Sequence, residues 1–225
     1  MKEINLKSES ADELELTNKT EPAHITVIST ETAIQKTNRV TTAITSTPNH
    51  FTFCPNCAST KIQTAPGGRK WFCPDCGFDL YNNVAAAVGI ILQDEEGRIL
   101  FEKRAKEPRK GYLALPGGFS EADESAEDAC RRECFEETGL EISDINFLCT
   151  FPNTYQYKTI VYKTCDIFFT GRLPEKNNLH AQKSEVSEFV FLKIENMADL
   201  EKAPLAFDSA RKCLQVFLQK EKGSL

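Results

Sequence analysis

The feature that most constrains this chain is a stretch at positions 117–140, GGFSEADESAEDACRRECFEETGL. Ser125 and Gly139 are typical of the residues that begin and end a helix, so the stretch predicts a helix between them. Acidic residues are favourable at the positive N-terminal end of a helix and unfavourable at the negative C-terminal end. Six acidic residues nevertheless fall within fourteen positions, and three lie in the last five: Glu133, Glu136 and Glu137.

These three glutamates fall within one sector of about 100° on a helical wheel, overlapping a stripe of small apolar residues. Like charges beside a core raise one another's pKa values unless a cation compensates, and Arg132 alone cannot neutralise the whole group. Clustered carboxylates suit Mg²⁺ or Mn²⁺, which take further ligands from water and substrate phosphates. The helix therefore predicts the protein part of a metal site that substrate phosphates would complete. Gly118, in the loop before the helix, can offer its carbonyl oxygen to the metal or approach a phosphate. The alternative is a solvated acidic helix face.

Two CxxC pairs, fifteen residues apart, precede this region: Cys54, Cys57, Cys73 and Cys76. This spacing is typical of four-cysteine zinc sites, in which two turns complete a tetrahedron around one ion. A closed site of this kind predicts structural Zn²⁺. The other cysteines fall on helix or strand patterns and are expected to be buried: Cys130, Cys134, Cys149, Cys165 and Cys213.

Composition divides the chain into three parts. Residues 1–50 are rich in polar residues and lack aromatic ones, which predicts a disordered tail. Residues 51–82 form the predicted zinc ribbon, and residues 83–225 form a second domain. In that domain apolar alternation predicts strands on either side of the acidic helix and an amphipathic helix at the end. The order of elements indicates an α/β or α+β sandwich.

The region around the acidic helix resembles the Nudix box at every fixed position. The matching residues are Gly118, Glu124, Arg132, Glu133, Cys134, Glu136, Glu137, Gly139 and Leu140. With the paired cysteines added, the chain is similar to the zinc-ribbon members of that family, which include NADH pyrophosphatases and ADP-ribose pyrophosphatase-like proteins.

The resemblance implies an α/β/α sandwich with a mixed sheet and a hydrolase that cleaves a pyrophosphate bond in a nucleoside diphosphate linked to another moiety. It implies that Glu133, Glu136, Glu137 and the Gly118 carbonyl bind Mg²⁺ or Mn²⁺. Arg132 would orient these glutamates, with Glu124 and Gly139 supporting the box.

The general base is a separate question, because in the family it lies either in the box or on a later loop. Glu185 and Glu188 in KSEVSEFVF precede a predicted strand, and Glu185 is the preferred loop candidate. The alternative to a general-base role, for either residue, is a solvated acid on the loop.

The substrate is less constrained. Only Pro152 and Tyr155 persist from the signature that NADH pyrophosphatases carry after the box, which favours ADP-ribose or a nucleotide sugar over NADH or a dinucleoside polyphosphate. Tyr155 and Tyr157 share a strand face if they lie on a strand, so either can stack on a base or pack across strands. Arg104 is a candidate for the second phosphate, with a solvent-exposed cation as the alternative.

A net charge of −6 argues against binding bulk nucleic acid. No long apolar segment or basic leader is present in the sequence, which predicts a cytoplasmic protein without a membrane span. The alternative function is a non-catalytic Nudix-like nucleotide sensor or transcription regulator, although such proteins usually have eroded glutamates. A homodimer is plausible from the resemblance.

Overall fold

The computed structural model describes residues 51–174 and 179–223. The predicted disordered tail at 1–50 lies outside the described residues. Within the described ranges, no helix is both long and apolar enough to cross a membrane.

The cysteine-rich part forms a small antiparallel sheet. Its strands are β1 (Gln63–Thr64), β2 (Lys70–Phe72) and β3 (Asp79–Tyr81), in that spatial order. A 3₁₀ turn at Pro66–Gly68 joins the first two strands. Trp71 is buried in the middle strand and meets the edge of Phe51, with ring centroids 5.1 Å apart.

The larger sheet has six strands. They are β4 (Ala85–Gln93), β5 (Ile99–Arg104), β6 (Leu113–Ala114), β7 (Ile145–Tyr157), β8 (Ile160–Arg172) and β9 (Val186–Leu192). The spatial order is β6-β5-β4-β8-β7, with β9 paired along β5. The β4–β8 pair is parallel and the others are antiparallel, so the sheet is mixed.

Helices cover both faces of this sheet. Helix α1 (Ala126–Thr138) packs on one face, and α2 (Met197–Lys202) and α3 (Asp208–Glu221) pack on the other. Strand β4 explains why both faces must be covered: Ile90 and Leu92 belong to the α1 side, whereas Ile91 belongs to the α3 side, and all three are fully buried. The predicted α/β/α sandwich with a mixed sheet is confirmed.

Local predictions agree with this architecture with small differences. The turn QDEEG is confirmed as a hairpin, in which Asp94 and Arg98 are hydrogen bonded and Gly97 has φ 74°. Cys130, Cys134 and Cys213 are buried as expected, but Cys149 and Cys165 are only half-buried. Strand β7 extends to Tyr157, so both candidate tyrosines lie on one strand.

Candidate active site

Both ends of α1 are built as its sequence predicts. The Ser125 side chain accepts a hydrogen bond from the Asp128 backbone N–H at 3.1 Å. Gly139 takes the left-handed conformation, φ 74°, and its N–H donates to the Phe135 carbonyl at 2.8 Å. These caps fix the helix length, so the late glutamates are presented in its last two turns.

The loop of Gly117 and Gly118 lies between α1 and β4. The Gly117 N–H donates to the Glu137 carboxylate at 2.8 Å, and the Gly118 carbonyl accepts from the Val88 N–H at 2.8 Å. At Gly118 an added Cβ would lie 2.5 Å from the Glu133 carboxylate, and at Gly117 it would collide with the Val88 carbonyl. Only glycine allows the backbone to approach the carboxylates this closely.

Arg132 is the centre of an ion-pair network. Its guanidinium donates two hydrogen bonds to Glu124, at 2.6 and 3.1 Å, and one to Glu133 at 2.8 Å. It also reaches Glu136 at 3.4 Å and the Phe119 carbonyl at 3.1 Å. The Arg132 hydrogen bond holds the pKa of Glu124 below its ordinary value. One cation therefore aligns three carboxylates, of which it holds Glu124 most tightly.

The carboxylates on the inner side of the helix are in a low-dielectric environment. Burial raises the pKa of Glu133 and raises that of Glu137 to about 7. Glu102, on β5, is only 3% exposed, and burial together with the nearby Glu137 raises its pKa well above the ordinary value. The carboxyl groups of Glu102 and Glu137 interact with each other, while Glu102 Oε1 has no hydrogen-bond partner among the described residues.

This donor set fits a divalent cation. Buried carboxylates crowd one another with too little positive charge nearby, and carboxylate oxygens are hard ligands. Glu133, Glu136 and Glu137 all line one cavity with Gly118, whose carbonyl keeps a second lone pair.

The cavity has a volume of about 430 Å³, which is within the range of small-molecule sites. Among the residues predicted from sequence, it brings together those of the box loop and helix, the loop glutamate, the arginine of β5 and one tyrosine: Gly118, Arg132, Glu133, Glu136, Glu137, Glu185, Arg104 and Tyr155. Glu124 and Gly139 do not line the cavity: Glu124 is hydrogen bonded to Arg132, and Gly139 caps the end of α1.

Glu185 lies immediately before β9 and reaches the same cavity. Its carboxylate pairs with Lys106 at 2.5 Å, and its charge contributes to the raised pKa values of Glu133 and Glu137. Glu188 pairs with Lys103 on the surface and lines a different groove. Glu188 lies within β9 and not before it, so the geometry separates the two acids.

The far wall of the cavity is aromatic. Phe119 and Phe207 both contact Tyr155, with ring centroids 5.4 and 5.8 Å apart from it. The Arg104 guanidinium lies 5.2 Å from the Phe207 ring centre and donates to the Pro108 carbonyl at 2.8 Å, while its Nη2 is buried without a partner among the described residues. Arg104 is therefore half-buried in the cavity wall rather than solvent-exposed.

Tyr157 does not join this wall. It lies one pleat further along β7, near the hairpin turn, is 44% exposed, and contacts the Lys158 side chain. A shared strand face places Tyr155 and Tyr157 on the same side, but the cavity ends before the second position.

The four paired cysteines converge as predicted. Their sulfur atoms lie within 4.8 Å of one another, and the Cys54–Cys76 and Cys57–Cys73 distances are each 3.7 Å. Zn–S bonds of about 2.3 Å in a tetrahedron require sulfur atoms about 3.8 Å apart. The residues after each CxxC pair, Ala58 and Gly77, both have positive φ, so the first turn accepts a strained alanine. This arrangement fits zinc.

Several cavity-associated polar residues were missed from the sequence. Asp166 is an isolated acid inside an otherwise apolar run, CDIFF, whereas Glu102 directly precedes Lys103 and Arg104 in LFEKR. The acid that interrupts the apolar run at Asp166 was the signal that the sequence offered for this residue. Lys106, Thr164 and Ser209 carry no comparable signal, because their position depends on long-range pairing.

A mixed sheet between helices, with a glutamate-rich helix on one face and a glycine loop against β4, defines the class of protein. The NUDIX domain family model matches residues 84–215, more than half of the 225 residues. The chain belongs to this family.

The sequences of related proteins align with this chain over part of their own length. An ADP-ribose pyrophosphatase of Methanocaldococcus jannaschii is 48% identical over 63 residues, which is 28% of this chain and 37% of that protein. The NAD-capped RNA hydrolase NudC of Haemophilus influenzae is 26% identical over 176 residues, or 76% of this chain and 63% of the relative. These alignments therefore span from about a third to just under two thirds of the relatives' own length.

Solved structures agree in fold. The crystal structure of a NUDIX hydrolase from Nitrosomonas europaea superposes with a TM-score of 0.57 and 21% identity, covering 76% of this chain and 92% of that chain.

Proposed function

We propose that this protein is a Mg²⁺- or Mn²⁺-dependent hydrolase that cleaves a pyrophosphate bond in a nucleoside diphosphate linked to another moiety. The observation that carries the proposal is the joint placement of five glutamates, Arg132 and two further cations in one cavity. The cations Arg104 and Lys106 suit the phosphates of such a substrate.

Glu133, Glu136, Glu137 and the Gly118 carbonyl would hold the catalytic metal. When bound, a divalent ion neutralises charge on the phosphates and lowers the pKa of water. Structural Zn²⁺ would be held by Cys54, Cys57, Cys73 and Cys76 in a ribbon at 51–82, between the tail at 1–50 and the Nudix domain at 83–225.

The remaining residues position these groups. Arg132 fixes Glu133 and Glu136 against Glu124, and the Gly117 N–H and Glu102 hold Glu137 from two sides. This preorganisation keeps the carboxylates in place before substrate arrives, so little reorganisation is needed during the reaction.

Glu185 is the proposed general base. It lies in the cavity on a loop, separate from the Arg132 network, and its partner Lys106 holds its side chain at the cavity wall. A carboxylate placed there can accept a proton from attacking water. A box glutamate, Glu136, is the competing assignment.

For the substrate, we favour ADP-ribose or a nucleotide sugar over NADH or a dinucleoside polyphosphate. The M. jannaschii relative is named for ADP-ribose, and the aromatic wall around Tyr155 can pack against a nucleoside. A cytoplasmic location, a homodimer and the absence of bulk nucleic-acid binding remain predictions from the sequence.

The test is a phosphate-release screen, coupled to an added phosphatase, with Mg²⁺ and Mn²⁺. Substrates are ADP-ribose, nucleotide sugars, NADH, dinucleoside polyphosphates, nucleoside triphosphates and a short NAD-capped RNA. Glu136→Gln is the matched inactive control. Metal-dependent cleavage of one class that is lost in the control supports the proposal. Binding without cleavage of any substrate by folded, zinc-loaded protein would favour the sensor alternative.

A further inference from the structure

A second carboxylate centre lies in the cavity wall, away from the glutamate helix. Asp166, on β8, is 8% exposed and lines the cavity. Within the described ranges no Lys, Arg or His forms an ion pair with it. Burying an acid without a cation is costly unless hydrogen bonds satisfy it, so this position calls for an explanation.

Two buried hydroxyl groups hold the Asp166 side chain. Thr164 Oγ1 donates to Oδ1 at 2.5 Å, and Ser209 Oγ on α3 donates to Oδ2 at 2.6 Å. Each carboxylate oxygen then keeps one lone-pair position, since an ionised carboxylate accepts about four hydrogen bonds. The hydroxyls fix the orientation of the carboxylate but leave it able to accept from a ligand.

Strand pairing places this carboxylate relative to the glycine loop. Asp166 is in register with Ala87 on β4, and Ala87 in turn forms a bridge with Phe119 on the loop. Neighbouring strands are about 4.8 Å apart, so the backbones of Asp166 and the loop are separated by about 10 Å, with Ala87 of β4 between them. That separation suits the distance from a diphosphate to the donor groups of an attached nucleoside.

The surroundings also suit a nucleoside. Tyr155 and Phe207 line the same cavity, and Phe207 immediately precedes the helix that carries Ser209. An aromatic surface beside a fixed acceptor matches the faces and edges of a nucleoside, whose rings are apolar and whose hydroxyl and amino groups donate hydrogen bonds.

We propose that Asp166, oriented by Thr164 and Ser209, is the residue that recognises the nucleoside half of the substrate, accepting hydrogen bonds from its ribose hydroxyls or from the amino edge of its base. This inference rests on the proposed function, because it names the substrate group that the same cavity selects. The residue binds substrate and takes no part in bond cleavage.

The experiment compares the full-length wild type with Asp166→Asn on three substrates. These are ADP-ribose, its hypoxanthine counterpart and its analogue that lacks both the 2′- and the 3′-hydroxyl of the adenosine ribose. A lost hydrogen bond to a charged acceptor is expected to raise KM roughly 10- to 100-fold with kcat changed less than about threefold. The wild type should show the same loss with one of the two analogues, and Asp166→Asn should no longer distinguish that analogue from ADP-ribose.

Comparing the two analogues distinguishes a contact with the ribose hydroxyls from a contact with the amino group of the base. This comparison uses the wild-type protein, so it can be made even if Asp166→Asn fails to fold. Ser209→Ala, which loosens the carboxylate without removing it, should give a smaller rise in KM. Equal KM values for all three substrates in the wild type overturn the inference. So does an Asp166→Asn protein that loses melting temperature but keeps full discrimination, because the residue would then serve only structure.

Calorimetric binding of ADP-ribose to the same proteins distinguishes the two proposals. Hydrolysis that disappears in Glu136→Gln, together with an unchanged KM in Asp166→Asn, refutes the nucleoside role alone. Binding that depends on Asp166 without any hydrolysis by the wild type refutes the hydrolase alone and supports the nucleoside role.

Discussion

The buried Glu102–Glu137 pair should make the metal-free protein less stable as pH rises. Unfolded glutamates ionise near pH 4.5, whereas burial raises the pKa of Glu137 to about 7 and that of Glu102 well above its ordinary value. The folded state therefore holds protons that the unfolded state has released. The stabilisation is fully present below about pH 4 and is lost as pH rises through the folded-state pKa values.

The magnitude follows from the shift at Glu137. Moving its pKa from 4.5 to about 7 changes the free energy of unfolding by at most about 3 kcal/mol. Glu133 contributes in the same direction, because burial also raises its pKa. Mg²⁺ should reverse the loss at high pH, since it binds the ionised carboxylates and therefore the folded state.

The measurement is urea unfolding from about pH 5 to about pH 8, followed by far-ultraviolet circular dichroism. Tryptophan fluorescence is unsuitable, because Trp71 lies in the small sheet and reports on that part. Chelators are avoided so that the cysteine site keeps any zinc. Glu137→Gln should flatten the slope, whereas Glu136→Gln, whose side chain is 49% exposed, is the matched control and should retain it.

A wild-type protein whose stability is constant from about pH 5 to about pH 7.5 would refute this reasoning. An unchanged slope in Glu137→Gln would assign the pH dependence to other groups.

Three further predictions follow from the site and the ribbon. Arg132→Lys should lower kcat by roughly 10- to 100-fold with little change in melting temperature, because an ammonium cannot bind Glu124 through two hydrogen bonds and still reach Glu133; steady-state kinetics checks this. Gly118→Ala should abolish most activity while circular dichroism stays near normal, since its Cβ would displace the Glu133 carboxylate; activity near that of the wild type would contradict the close approach. Cys73→Ser should reduce zinc from one ion per chain by elemental analysis and expose Trp71, seen as a red shift in fluorescence, while hydrolysis continues.

Local features were predictable because they depend on neighbours in sequence. The caps at Ser125 and Gly139, the cysteine turns and the position of the glutamates on α1 all follow from spacing within a few residues. The resemblance to a known family then supplied the fold and the proposed metal-binding residues.

The rest depended on pairing between distant segments. Asp166 faces the cavity only because β8 runs parallel to β4, and Glu102 meets Glu137 only because β5 lies beneath α1's glutamates. The sequence also could not show where the cavity ends along β7, and this limit separates Tyr155 from Tyr157. In each case the side chain's environment is set by register, which a single sequence does not specify.

The attachment of the glycine loop to both β4 and α1 has an evolutionary consequence. Gly117 and Gly118 are closed to any larger residue, whereas the aromatic wall, formed partly by β7 and the start of α3, is attached to the loop mainly through side-chain contacts. We therefore expect the two halves of the cavity to diverge at different rates. Substitutions in the later strands can change which ligand the cavity binds, while the glycine loop stays unchanged.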